Sequence, residues 1–248
     1  MKLYEFGPTR SIRARWILQE LGVDFEAVSV DLTQREHYSP DFLELNPAAR
    51  VPVLVDGDLV LRESVAIVLY LAEKDHDRGF MPADLKLRAD FYRWILFAVT
   101  ELEQPWWRIA KHTHLYPEQD RLPAEVALAR RDFLPMAAVL EKHMRGRNYV
   151  VGDRVTAADF VVAYTLDVAD EMQLLGECPA LRSYLERMYA RPRAPASDRG
   201  YLSGHAVRRG ERDSNRLRKM LGMPVRLLCS PGATDAPWST AFTPLHGL

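Results

Sequence analysis

The chain has 248 residues, enough for one large core or two small ones, and a typical domain size of about 100–200 residues favours two. With 48% hydrophobic and 27% charged residues and a formal net charge of −1, it has no global field that would draw it to nucleic acid or to a membrane surface. Its two cysteines, Cys178 and Cys229, lie far apart and outside any metal-ligand spacing, which excludes a disulfide framework and a structural zinc site and suits a reducing compartment.

The chain opens Met1-Lys2-Leu3-Tyr4-Glu5 without an apolar run of signal-peptide length, and no stretch approaches the roughly 18 apolar residues that cross a bilayer. A soluble, unprocessed, cytoplasmic protein is expected, with no membrane or nucleic-acid partner. Lys2–Phe6 reads as a short strand broken by Gly7-Pro8; Ile12, Trp16, Ile17, Leu18 and Leu21 then fall at helical spacing until Gly22 ends the run. Phe25–Val30 alternates as a second strand, so the start predicts a βαβ unit and a sheet that begins parallel. After a polar stretch around His37, Val51–Val55 and Leu59–Leu61 flank Asp56-Gly57-Asp58 and predict a hairpin. Glu63-Ser64 opens an apolar helix through Leu71, with Ser64 capping it or starting it.

Beyond Lys74 the polar bridge Asp75–Gly79 with Pro82 leads into a half that reads as helix from about Leu85 to Ala190. Phe91, Trp94, Ile95, Phe97, Ala98 and Leu102 mark one long helix, Phe133–His143 belongs to another, and Leu181, Tyr184, Leu185 and Met188 mark the last. Thr156-Ala157-Ala158-Asp159 before an apolar run is a capping-box arrangement with Asp at the third helical position. From Arg191 on, ten basic residues against four acidic ones give +6 and leave −7 for the rest, so a basic, solvated or disordered extension is expected, with a short helix near Arg216–Leu221. The expected organisation is 1–76 as a first α+β domain, 77–87 as linker, 88–200 as an all-helical domain and 201–248 as the extension.

A βαβ-ββα half before an all-helical half, with Asn46-Pro47, then Arg50-Val51-Pro52 before the hairpin, then Glu63-Ser64, resembles the cytosolic glutathione transferase family over about Met1 to Ala190. The resemblance implies a thioredoxin-like domain followed by a helical bundle, glutathione as co-substrate, no metal, and a homodimer. Glutathione carries an α-amino group, two carboxylates, two amides and a thiol, so its site must hold charged ends and leave the sulfur exposed. By resemblance Pro52 is cis and presents the Val51 backbone to the cysteinyl part of the peptide. Glu63 and Ser64, at a helix N-terminus, suit the γ-glutamyl ammonium and carboxylate. His37 and Arg50 lie where the family places a basic residue for the glycyl carboxylate, with His37 equally compatible with plain surface.

Glutathione chemistry needs a donor that favours thiolate over thiol. The tyrosine pattern of the family would need a Tyr where this chain has Phe6, and the cysteine pattern a thiol where it has Arg10. Thr9 and Ser11, both ahead of Arg13, resemble the serine pattern, with Thr9 favoured and either able instead to cap the helix; Arg10 would add a cation if it faces the pocket, or face solvent. For the second substrate, Trp106 and Trp107 with Phe97, His112, His114 and Tyr116 form a dense aromatic set after Pro105. Adjacent tryptophans on one helix cannot both face the core, which points to one in the cleft against a small apolar electrophile, or to an aromatic core or dimer contact. The expected activity is attack by glutathione thiolate on an electrophilic carbon, a disulfide or a peroxide. The alternative is a non-catalytic binding or regulatory protein of the same shape.

Overall fold

A computed structural model describes residues 1–195; the basic extension 201–248, the helix expected near Arg216–Leu221 and Cys229 lie outside the described residues. Strand β1 (Lys2–Glu5) leads through a Gly7-Pro8 break into α1 (Ser11–Leu21). Gly22 ends α1 at φ 70°, and its N–H reaches the carbonyls of Leu18 and Gln19, both at 3.1 Å, a left-handed cap open to glycine at no Cβ penalty. Strand β2 (Glu26–Ser29) pairs parallel with β1, β3 (Val53–Asp56) antiparallel with β1, and β4 (Leu59–Arg62) antiparallel with β3, giving the order β2-β1-β3-β4. The hairpin turn centres on Gly57 and Asp58, with Gly57 at φ 60°.

Helices α1 and α3 (Ser64–Lys74) pack together beneath the sheet, where Leu3 and Leu54 share a core with Ile17, Leu18, Ile67, Val68 and Leu71. The opposite face carries a smaller cluster of Val30, Leu32, Phe42 and Val53. Phe42 belongs to α2 (Pro40–Leu45), a helix inside the stretch read only as polar; Ser39 caps it by accepting from the Phe42 N–H at 3.3 Å, and Pro40 begins it.

The single long helix expected through Leu102 is a helical path with interruptions: α4 (Leu85–Phe97), a π turn at Ala98–Leu102, α5 (Glu103–Ala110) and a second π turn at Lys111–Leu115. Pro105 has no N–H to offer the carbonyl one turn back, and the wider turn before it accommodates that loss. Then follow α6 (Pro123–Met144), α7 (Ala157–Glu171) and α8 (Pro179–Tyr189). Every residue of α7 from Ala157 to Ala169 is buried, and the helix touches α1, α3, α4 and α5. One core therefore runs through both halves: the Trp16 ring of α1 sits 5.5 Å from Phe160 of α7 and 4.9 Å from Tyr189 of α8. The start of α7 is fixed by Asp159, whose carboxylate accepts from the Thr156 N–H at 2.8 Å and the Val150 N–H at 2.8 Å. Among the described residues no helix is long and apolar enough to cross a membrane.

Candidate active site

The turn that opens α1 holds three of the side chains singled out by sequence. Thr9 is half-buried; its hydroxyl donates to the Phe6 carbonyl, lies 2.8 Å from Ser11 Oγ and accepts from the Ser11 N–H at 3.2 Å. Ser11 is only 1% exposed, and its Oγ accepts from the Phe6 N–H at 3.4 Å. The two hydroxyls therefore form one chain that ties strand to helix, with Thr9 as its end toward the surface. Arg10 faces neither open solvent nor an unpaired pocket: its guanidinium lies 4.9 Å above the Trp107 ring and pairs with Glu103.

Arg13, one turn further along α1, is 1% exposed, and three groups surround its guanidinium. It pairs with Glu103, donates to Thr165 Oγ1 at 2.7 Å and donates to Ser64 Oγ at 3.3 Å, while the Tyr164 ring lies 4.8 Å away. Burial works against the charge on Glu103, but Arg13 and Arg10 outweigh it and hold this carboxylate below the usual range. A buried carboxylate bridging two arginines thus joins the first turns of α1 to the start of α5. Sequence reading noted Arg13 only as the landmark after Thr9 and Ser11, and missed Glu103 and Thr165. The available signal was an acid and a hydroxyl set into apolar runs.

Ser64 starts α3 rather than capping it, is 5% exposed, and its amide lies outside the intrahelical ladder. Glu63 before it is exposed and sits at φ 69°, ψ 115°, a conformation costly for a residue with a Cβ, of order 1–3 kcal/mol, and typical of ligand sites. The loop before β3 is shaped by the buried Asn46, whose side chain donates to the Arg50 carbonyl at 2.7 Å and accepts from the Ala48 N–H at 3.1 Å. This delivers Val51 and a cis Pro52 to β3. His37 is not surface: it is 1% exposed, and burial together with the charges of Arg50 and Arg35 lowers its pKa, so at neutral pH exposed Arg50 carries the cation on that side.

Of the aromatic set, Trp106 is core at 2% exposure, while Trp107 is half-exposed with Arg10 and Lys111 over its ring. His112 and Tyr116 brace the connection to α6: His112 Nδ1 accepts from the Leu122 N–H at 3.2 Å, and the two rings meet edge to face at 5.0 Å.

Family comparison agrees with this layout. The model of the glutathione S-transferase N-terminal domain matches residues 1–73, and that of the glutathione S-transferase C-terminal domain matches residues 105–195. Glutathione S-transferase 1 of Dianthus caryophyllus is 37% identical over 168 residues, covering 66% of this chain and 74% of that protein. The chain belongs to the glutathione S-transferase family. Glutathione S-transferase theta-1 of Rattus norvegicus is a further relative, 32% identical over 197 residues, covering 75% of this chain and 78% of its own.

Among solved structures, the glutathione S-transferase from Xylella fastidiosa superposes with a TM-score of 0.69 at 28% identity, over 78% of this chain and 94% of that one. Ure2p in complex with glutathione superposes at 0.71 with 21% identity, a likeness of fold, over 78% and 95% of the two chains. The Arg10–Glu103–Arg13 bridge ties the first matched domain to α5, beside the contacts of α1 and α3 with α7.

Proposed function

We propose that this glutathione transferase is of the serine/threonine type, binding glutathione along Arg50, Val51, Pro52, Glu63 and Ser64 and activating its thiol with the Thr9 hydroxyl. The carrying observation is the Arg13–Ser64 contact at 3.3 Å, which brings the first turn of α1, with Thr9 and Ser11, against the head of α3. The Ser64 amide and the α3 dipole suit the γ-glutamyl carboxylate, exposed Glu63 its ammonium, the Val51 backbone the cysteinyl unit and Arg50 the glycyl carboxylate. His37, neutral and buried, supports this wall rather than supplying charge.

Ser11 donates to Thr9 Oγ1, and Thr9 exchanges the Phe6 carbonyl for the sulfur, where its proton favours thiolate. The thiolate then attacks an electrophilic carbon and expels its leaving group, or attacks one sulfur of a disulfide and expels the other as a thiolate, or attacks a peroxide oxygen and expels hydroxide or an alkoxide, leaving glutathione as the sulfenic acid. Glutathione recorded with relatives, such as the oxidized glutathione in the URE2P8 transferase of Phanerochaete chrysosporium (26% identical, TM-score 0.70), supports the same ligand here. Trp107, under Arg10 and Lys111, is the aromatic wall for the second substrate. Leu85 and Leu96 of α4 and Leu134 and Val139 of α6, all exposed, support a homodimer through these helices.

The test is retention on immobilised glutathione, followed by conjugation of a chloronitrobenzene and reduction of a hydroxyethyl mixed disulfide. Retention with turnover of either substrate is expected. No retention and no turnover would overturn the reading.

A further inference from the structure

Glu103, Trp107 and Lys111 follow one another at every fourth position, so they share one face of the helical path through α5. Arg10 fixes where that face looks: it pairs with Glu103 and lies 4.9 Å over the Trp107 ring, so the face is turned toward the turn that opens α1. Lys111, at the start of the second π turn, brings its ammonium to 5.9 Å from the same ring. The ring itself is braced, because the buried Trp106 meets it edge to face at 5.9 Å. None of these residues belongs to the exposed apolar stripe of α4 and α6.

The charges on this face leave donors over. Glu103 takes Arg10 through Nε and Arg13 with its other oxygen, so one carboxylate serves two guanidiniums. The terminal Nη1 and Nη2 of Arg10 meet no acceptor among the described residues, and the side chain is 35% exposed. Lys111 is half-buried and has no ion-pair partner among the described residues. Arg108, which follows Trp107, is by contrast satisfied by Glu125 at 3.0 Å and Asp132 at 2.7 Å. Arg10 and Lys111 therefore converge on one aromatic ring with donors still to satisfy, and Arg10 follows Thr9 directly in the chain.

We infer that the second substrate is an electrophile with a carboxylate on a flat apolar body, the carboxylate received by Arg10 and Lys111 and the body by Trp107. This rests on the transferase reading and adds the substrate's charge to it. The Arg10 terminal nitrogens form a planar pair that matches the two oxygens of a carboxylate, while Lys111 supplies a point charge on a stem that can follow the ligand. A neutral amide of the same shape offers a single oxygen acceptor and leaves the second cation without a partner.

The experiment uses the full-length protein with 4-chloro-3-nitrobenzoate and its neutral counterpart 4-chloro-3-nitrobenzamide; in both, glutathione thiolate bonds to the ring carbon and chloride leaves. Each kcat/KM is divided by the uncatalysed rate constant with glutathione, so that ring reactivity cancels. In parallel, 3-nitrobenzoate and 3-nitrobenzamide are titrated without glutathione at constant ionic strength, following the Trp107 indole N–H resonance, assigned with Trp107→Phe. The carboxylate should be favoured about tenfold in both measurements, the scale of one hydrogen bond to a charged group. Lys111→Gln should reduce that preference by at least about threefold and Lys111→Arg restore it, with retention on immobilised glutathione reporting that each variant is folded. Equal or better use of the amide, or a preference unaltered by Lys111→Gln, would overturn the inference while the transferase reading stands. Absence of both retention and turnover would sink the transferase reading. The Trp107 titration then decides the carboxylate site alone: selective movement with the nitrobenzoate supports it, and a stationary resonance removes it.

Discussion

The Arg13 guanidinium donates to the hydroxyl of Ser64 at 3.3 Å, so the residue that heads α3 is held by a cation rooted in α1 and neutralised by Glu103 of α5. Ser64→Ala removes both a donor to a bound carboxylate and an acceptor for Arg13. Glutathione affinity should fall by about 1–3 kcal/mol, roughly 5- to 150-fold, the usual cost of a lost charge-assisted hydrogen bond. Titration calorimetry with glutathione checks this, and unchanged affinity would remove Ser64 from the ligand site.

Thr9 and Ser11 are separable by experiment because they differ in access. Thr9 is half-exposed and ends the hydroxyl chain; Ser11 is buried and accepts from the Phe6 N–H. Thr9→Ala should lower kcat by about 10- to 100-fold with little change in KM for glutathione, and should shift the rising limb of the pH–rate profile to higher pH; Thr9→Ser should restore both. Ser11→Ala should act more on thermal stability than on the pH profile. A larger displacement of that profile by Ser11→Ala would reverse the assignment.

Much of the fold is written in local pattern, whereas the site depends on contacts between distant residues. Alternation in Lys2–Phe6 and Phe25–Val30, the stop at Gly22 and the Gly57 turn identify the sheet, because each is a short-range signal with a backbone cause. Ser39-Pro40 carried the same kind of signal for α2, and the polar surroundings hid it. The π turn before Pro105 and the positive φ of Glu63 are imposed by neighbours in space. Arg13 and Glu103 lie ninety positions apart, so nothing in either local sequence says that they pair. His37 looked like one of two candidate cations, and only its burial beside Arg35 and Arg50, which lowers its pKa, removes it as a charge at neutral pH.

Glu103 contributes to stability with a definite sign in pH. Its folded pKa lies below the ordinary glutamate value, since Arg13 and Arg10 outweigh the penalty of burial. Its stabilisation is therefore fully present at neutral pH and is lost as pH falls through the acid range. Glu103→Gln leaves the buried Arg13 cation uncompensated and should cost about 3–5 kcal/mol at pH 7. Denaturation of the two proteins by urea between pH 7 and pH 3 measures the difference, which should hold down to about pH 5 and shrink below it. A constant difference would mean that shape rather than charge makes the bridge.

Asp159 has the opposite sign. It is fully buried, and burial raises its pKa from 3.8 to about 6 against the donors that favour the carboxylate: the N–H groups of Val150 and Thr156 and the hydroxyls of Tyr184 and Thr156. Between those two values the folded chain holds the proton that the unfolded chain releases, so this residue adds stability as pH falls from 7 toward 4, by at most about 3 kcal/mol. Asp159→Ala strands the Val150 and Thr156 amides and should destabilise by about 3–5 kcal/mol. Asp159→Asn keeps the shape, cannot titrate, and turns one acceptor into a donor that faces other donors. Relative to Asp159→Asn, the wild-type protein should therefore gain in Tm between pH 7 and pH 5, a range in which its difference from Glu103→Gln should stay nearly constant because the Glu103 contribution is lost only at lower pH. No wild-type gain in the first comparison would mean that the four donors hold Asp159 ionised despite its burial.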